Sequence, residues 1–138
     1  MKTPRTAGLM VVFLSISAMA LVAAEGNWQR RVPDADRQRV NPYAGQPEAI
    51  SAGHLLFKEN CAKCHGSDAE GRHGRPSLRS QHVIHATDGE LAWLLRNGSL
   101  AKGMPTWSSL PEQERWQIIA FIRSLPHDAA PAPAGSRP

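Results

Sequence analysis

The chain has 138 residues, with 16 Lys and Arg against 12 Asp and Glu, and 41% of its residues are hydrophobic. That is material for one small domain, and its mild positive excess, interleaved with acids, excludes the concentrated basic face of a nucleic-acid binder. Two cysteines are too few for a four-thiol zinc site.

The chain opens as a secretory leader. Lys2 and Arg5 make a short positive region, Leu9 to Val22 is an uncharged apolar run of about 14 residues, and Val22-Ala23-Ala24 offers small residues for cleavage after Ala24, with Ala18-Met19-Ala20 as a second cut. A retained membrane anchor would want about 20 apolar residues, and no later segment is apolar enough to span a bilayer. Residues 1–24 are therefore read as a signal peptide, the destination as the periplasm, and the mature chain as lacking stable membrane insertion. Lys2 and Arg5 leave with this segment and none of the acids do, so the remaining positive excess is small.

Residues 25–46 carry charge, Pro33, Pro42 and Gly45 without sustained periodicity, and are expected to be a partly ordered extension. Its Arg30, Arg31, Arg37 and Arg39 are separated by Asp34 and Asp36. The expected folding unit spans 47–125, and residues 126–138 read as a disordered Pro/Ala-rich tail. Roughly 80 residues form a marginal core from side-chain burial alone.

A helix is predicted from Pro47 to Asn60, with Pro47 in its first turn and Ile50, Phe57 and Cys61 recurring on one side. Gly53 lies four residues before Phe57, and a mid-helix glycine there predicts close approach by another helix. The helix delivers Cys61-Ala62-Lys63-Cys64-His65. Two thiols three apart with a histidine after the second are the covalent anchor of a c-type haem: both thiols can add across the porphyrin vinyl groups, and His65 can reach the iron as proximal ligand. Three other readings attach to the same residues: a redox dithiol, half of a zinc site completed by histidines, or a small disulfide. A dithiol of thioredoxin type belongs beside alternating strand and helix, and no segment of this chain reads as strand.

A short helical turn is predicted over Leu78 to Ile84. Thr87-Asp88-Gly89-Glu90 is a capping-box pattern opening a helix with Leu91, Trp93, Leu94 and Leu95, which Asn97-Gly98 ends. Ser109-Leu110-Pro111-Glu112 reads as a second such start. The helix that follows places Ile118, Phe121, Ile122 and Leu125 on one stripe, and Pro126 stops it. Of the four methionines, Met1, Met10 and Met19 fall in the leader. Met104 remains, in Lys102-Gly103-Met104-Pro105, where glycine and proline favour a fixed turn that can aim one thioether at the iron; its other reading is a pliant core filler.

Over residues 47–125 the chain resembles a class I, mono-haem cytochrome c of bacterial type. The segments carrying the likeness, in family order, are Cys61 to Gly66, Pro76-Ser77-Leu78, Gly103-Met104-Pro105 and the Trp116 to Leu125 helix. The resemblance implies an all-α fold of about four helices around one covalently attached haem c. It also implies that the first and last helices cross at Gly53 and Phe57 against Phe121, and that His65 and Met104 are the axial ligands. The Pro76 carbonyl would accept a hydrogen bond from His65, and Leu78, Leu94 and Trp107 would wall the haem, their alternative being ordinary core packing. His54, His73, His82, His85 and His127 compete as distal ligands, His82 and His85 most seriously.

With both axial positions filled, no site is open for a substrate, and no nucleophile and base stand at catalytic spacing. The expectation is a monomeric electron carrier rather than an enzyme. Lys58, Lys63, Arg72, Arg75, Arg79 and Lys102 could ring the haem edge and steer an acidic partner. The extension with Asn41-Pro42-Tyr43, followed by Pro47-Glu48-Ala49-Ile50, and the Trp93 to Gly98 and Gly103 to Trp107 segments are similar to small cytochromes serving quinoprotein alcohol dehydrogenases. The implied donor is a PQQ-type dehydrogenase and the implied acceptor a terminal oxidase. A subunit of a fixed oxidoreductase complex, or a haem sensor or enzyme with a displaceable Met104, are the other classes.

Overall fold

The computed structural model describes residues 28–129. The expected leader and all of the tail beyond Ala129 lie outside them. Trp28–Arg31 form a single 3-10 turn at the end of one compact unit; a second unit begins at Val32 and carries everything below. Among the described residues there is no strand, and no helix is long and apolar enough to cross a membrane. Within the described residues six α-helices follow one another: α1 Asp34–Arg37, α2 Pro47–Asn60, α3 Ala62–His65, α4 Gln81–His85, α5 Asp88–Asn97 and α6 Glu112–Ser124. A 3-10 turn, Leu100–Lys102, lies between α5 and α6.

The core is built on the pair α2 and α6, the most extensive helix contact in the domain. On α2, Ala49, Gly53 and Phe57 recur every fourth residue and are buried, which places them on one face. A Cβ added at Gly53 would overlap the main-chain carbonyl of Gln117 and lie 3.1 Å from the Ile118 nitrogen. The predicted close crossing is thus backbone against backbone. One turn on, Phe57 is fully buried and its ring centroid is 5.2 Å from that of Phe121. His54 stacks on the other side of this cluster, 4.7 Å from the Phe121 ring. On α6, Trp116, Ile118, Ile119, Ala120, Phe121 and Ile122 are all buried, a wider surface than the predicted stripe, because α5 also packs against this helix.

α5 starts as its sequence prescribes. The Glu90 nitrogen donates to Thr87 Oγ1 at 3.1 Å, and the Thr87 nitrogen donates to Glu90 Oε2 at 2.7 Å, satisfying two donors that a helix start otherwise leaves open. The expected equivalent at Ser109 does not form. Pro111 is the residue preceding α6, with no side-chain cap, and Glu112 turns elsewhere, accepting from Trp116 Nε1 at 3.1 Å and from Arg39. α6 ends at Ser124, where Leu125 adopts extended backbone as the ring of a following proline requires. The short helix expected over 78–84 is found at Gln81–His85. Arg123 of α6 holds its end, donating to the carbonyls of Val83 (2.9 Å) and Ala86 (2.5 Å) and to Asp88 Oδ1 (2.8 Å).

The folded domain reaches further toward the N-terminus than the boundary expected at residue 47. Val32 and Asn41 are buried. Asn41 Nδ2 donates to the Trp116 carbonyl at 2.9 Å, Arg37 pairs with the buried Glu90, and Arg39 both pairs with Glu112 and lies 5.1 Å from the centre of the Trp116 ring. Residues 32–46 are thus a strap bound to α5 and α6.

Candidate functional site

The C-terminal end of α2 presents the motif. Cys61 closes that helix, its nitrogen donating to the Phe57 carbonyl at 2.8 Å, and the Cys61 carbonyl in turn accepts from the nitrogens of Cys64 and His65, each at 3.0 Å. The chain therefore turns from α2 directly into α3, which keeps both thiols and the imidazole within one helical turn. Cys61 is buried and Cys64 exposed, and both thiols are free. Burial, with Cys64 nearby as a second cause, pushes the Cys61 thiol up to about 12. A reactive C-x-x-C dithiol needs the opposite shift. Among the described residues no three His, Cys, Asp or Glu side chains gather as a metal-binding group, so the zinc reading lacks its donors.

His65 Nδ1 lies 3.0 Å from the carbonyl oxygen of Pro76. A carbonyl can only accept, so Nδ1 is the donor, and in the neutral ring the lone pair is then on Nε2. In that tautomer the neutral ring can bind a metal through Nε2, and the bond behind it fixes the ring's orientation. Pro76 is held by the loop 66–78, which Gly71 ties back to the His65 carbonyl (2.7 Å) and Leu78 to the Ala69 carbonyl (2.9 Å). Beyond Pro76, Ser77 Oγ donates to Asp128 Oδ2 at 2.5 Å, and the Asp128 nitrogen donates to the Arg79 carbonyl at 2.9 Å. The start of the expected tail is thus fastened to the segment behind the histidine.

Met104 sits in a closed turn. Ser99 and Met104 exchange two main-chain hydrogen bonds, of 2.9 and 3.1 Å, around the 3-10 turn Leu100–Lys102. The Trp107 nitrogen donates to the Leu95 carbonyl at 2.8 Å and anchors the following residues to α5. Met104, Leu78, Leu94 and Trp107 are half-buried, unlike the deeply buried side chains between α2 and α6. His73, His82, His85 and His127 are exposed. Taken together, two thiols, an imidazole with a free Nε2, a thioether in a fixed turn and partly exposed apolar side chains make a donor set that fits a c-type haem.

Sequence reasoning singled out the motif, Pro76 and Met104, and the structure joins Pro76 to His65. The fastening of loop 66–78 by Asp128, and a bond from Arg75 to the Lys102 carbonyl at 2.7 Å, had no local signal. Both join residues far apart in the chain, and the types involved are ordinary surface types.

Comparison with known proteins agrees with this geometry. Residues 48–122 match the family model described as cytochrome C oxidase, cbb3-type, subunit III. The cbb3-type cytochrome c oxidase subunit CcoP of Rubrivivax gelatinosus is 30% identical over 103 residues, which are 71% of this chain and 34% of that protein. Cytochrome c550 of Pseudomonas aeruginosa is 30% identical over 88 residues, 61% of each chain. Among solved structures, cytochrome cL of the marine methylotroph Methylophaga aminisulfidivorans superposes with a TM-score of 0.56 at 32% identity, covering 63% of this chain and 59% of that one. The chain thus spans about a third of the CcoP relative and under two thirds of the two smaller cytochromes.

Proposed function

Since the chain belongs to the cytochrome C oxidase, cbb3-type, subunit III family of c-type cytochrome domains, which carry covalently attached haem c, we propose that it is an exported single-haem electron carrier with His65 and Met104 as axial ligands. The observation that carries this reading is the bond between His65 Nδ1 and the Pro76 carbonyl, which prepares Nε2 for iron. Haem c, when bound, supplies an iron that cycles between ferric and ferrous states.

The roles of the chain follow from its chemistry. Cys61 and Cys64 hold the group covalently. His65, oriented by Pro76, would hold the iron through Nε2, and Met104 would supply a thioether, a soft ligand that favours ferrous iron and raises the potential relative to a second imidazole. Leu78, Leu94 and Trp107, all half-buried, would shield the group from water, which would lower the local dielectric and tune the same couple. With His65 and Met104 both holding the iron, no position would be left open for a substrate, and the chemistry that the group would supply is electron transfer. Lys63 and Lys102, both exposed, would favour an acidic partner.

We place the protein in the periplasm after signal cleavage. There it takes electrons from a dehydrogenase and passes them to a terminal oxidase. Likeness to a cbb3-type oxidase subunit supports the acceptor side. The proposed donor is a PQQ-type dehydrogenase, on the likeness of the Asn41-Pro42-Tyr43, Trp93 to Gly98 and Gly103 to Trp107 segments described above. The CcoP likeness also favours a second reading, a subunit of a fixed oxidoreductase complex; a monomer on sizing at high salt supports the free carrier, and co-purification with an oxidase or dehydrogenase supports the subunit. The ligand set is tested by absorption spectra of the holoprotein. The weak far-red charge-transfer band of a methionine-ligated ferric haem is expected in the wild type and lost in Met104→Ala. A wild type without that band would turn attention to His82 and His85.

A further inference from the structure

We propose that Arg75 is a positioning residue: it latches the segment that orients His65 to the turn that carries Met104, and so sets how readily Met104 is displaced. The inference rests on the ligand set proposed above.

Arg75 immediately precedes Pro76, whose carbonyl accepts from His65. Its side chain leaves that segment and crosses to the Met104 turn, where Nη1 donates to the Lys102 carbonyl at 2.7 Å, 27 residues away in the chain. Gly103 is formed to receive it. Its φ is +73°, a left-handed conformation that favours glycine, and a Cβ there would lie 2.6 Å from Nη1 and 3.1 Å from Nη2 of the same arginine. The missing side chain is therefore the space that the guanidinium fills. Donor geometry and glycine placement are two separate observations, and both point to one contact.

Each end of the latch is itself fixed. The Arg75 nitrogen donates to the Arg72 carbonyl at 2.9 Å, and the Met104 turn is closed by its two bonds with Ser99. A force that moves Met104 outward must then either open the Ser99 pair or break the Arg75 bond. Arg75 is exposed, so its charge is screened and contributes little at a distance. What it supplies is a charged donor with a planar fork, which lysine reproduces only in part. Its effect falls on the distal ligand, although its main chain belongs to the segment that serves the proximal one.

The test compares holoproteins of the wild type, Arg75→Ala, Arg75→Lys and Arg72→Ala, the last removing the same charge from the same loop. Three quantities are read: the rate of carbon monoxide binding to the ferrous protein, the methionine charge-transfer band of the ferric protein, and thermal unfolding followed by far-ultraviolet circular dichroism. Arg75→Ala is expected to bind carbon monoxide about tenfold faster, the scale of one charged hydrogen bond, with a weakened band, while Arg75→Lys falls between and Arg72→Ala matches the wild type. If Arg75→Ala yields no holoprotein, Arg75→Lys carries the comparison. Unchanged carbon monoxide binding and band in the Arg75 variants would overturn the latch, as would equal effects in Arg72→Ala. A wild type lacking the band overturns the ligand reading and the latch together, whereas a wild type that has it separates the two.

Discussion

At Gly53 a single methyl group is enough to set the two main helices against each other. Alanine would gain about 1 kcal/mol of helix propensity over glycine. The opposing atom, however, is the main-chain carbonyl of Gln117 rather than the end of a flexible side chain, so it cannot move aside without moving α6. Overpacking of this kind costs about 1–3 kcal/mol, and Gly53→Ala is expected to lose about 1–2 kcal/mol net in urea unfolding of the holoprotein. A stabilised variant would mean that the helices slide freely. This position was legible in the sequence, because a glycine four residues before an aromatic on one side of a helix suggests close approach by another helix. Met104 was singled out by a different route, since it is the one methionine outside the expected leader. Arg75 was visible only as one cation among several, because its contact is fixed by a main-chain carbonyl, which leaves no mark in composition.

Among the elements, α6 shows where local signals gave way. Ser109 and Glu112 have the spacing of a capping box, but Pro111 lies at the start of the helix and Glu112 is taken by Trp116 and Arg39. The hydrogen bond from Trp116, then that from Arg39, holds the Glu112 carboxyl below the usual carboxylate range. A pKa lowered by folding contributes stability that is fully present above the unfolded value, about 4.3, and is lost as pH falls through the lower folded value. The loss of stability between about pH 6 and about pH 3 is therefore expected to be smaller in Glu112→Gln than in the wild type. Denaturant midpoints of the two holoproteins at both pH values check this, and equal losses would place the acid sensitivity elsewhere. α5 behaved as its sequence prescribed, because Thr87 and Glu90 complete their box within four residues.

For the whole molecule, the least legible feature was where folding begins. Arg37 and Glu90 are 53 positions apart, and Asn41 and Trp116 are 75 apart; no window of sequence contains either pair, and Pro33, Pro42 and Gly45 made the segment look irregular. It is irregular, yet it satisfies buried groups. A chain beginning at Pro47 would leave the Glu90 carboxylate buried without its arginine and would remove the Asn41 bond and the Arg39 pair. Leaving a buried charge unpaired is costly, and the shortened holoprotein is expected to be about 3–5 kcal/mol less stable than one beginning at Val32. Unfolding of the two side by side measures it; equal stability would reduce the strap to a surface ornament.

The crossing at Gly53 also bears on how such a molecule can vary. Main-chain atoms are the same in every sequence, so a spacing set by backbone on backbone does not drift when the surrounding core residues are exchanged. The end of α2 that carries Cys61 is thereby held at a constant distance from α6, like the fixed jaw of a vice. On the proposed ligand set, adjustment of potential would be left to the loops at Pro76 and at Met104, which can change without the frame noticing.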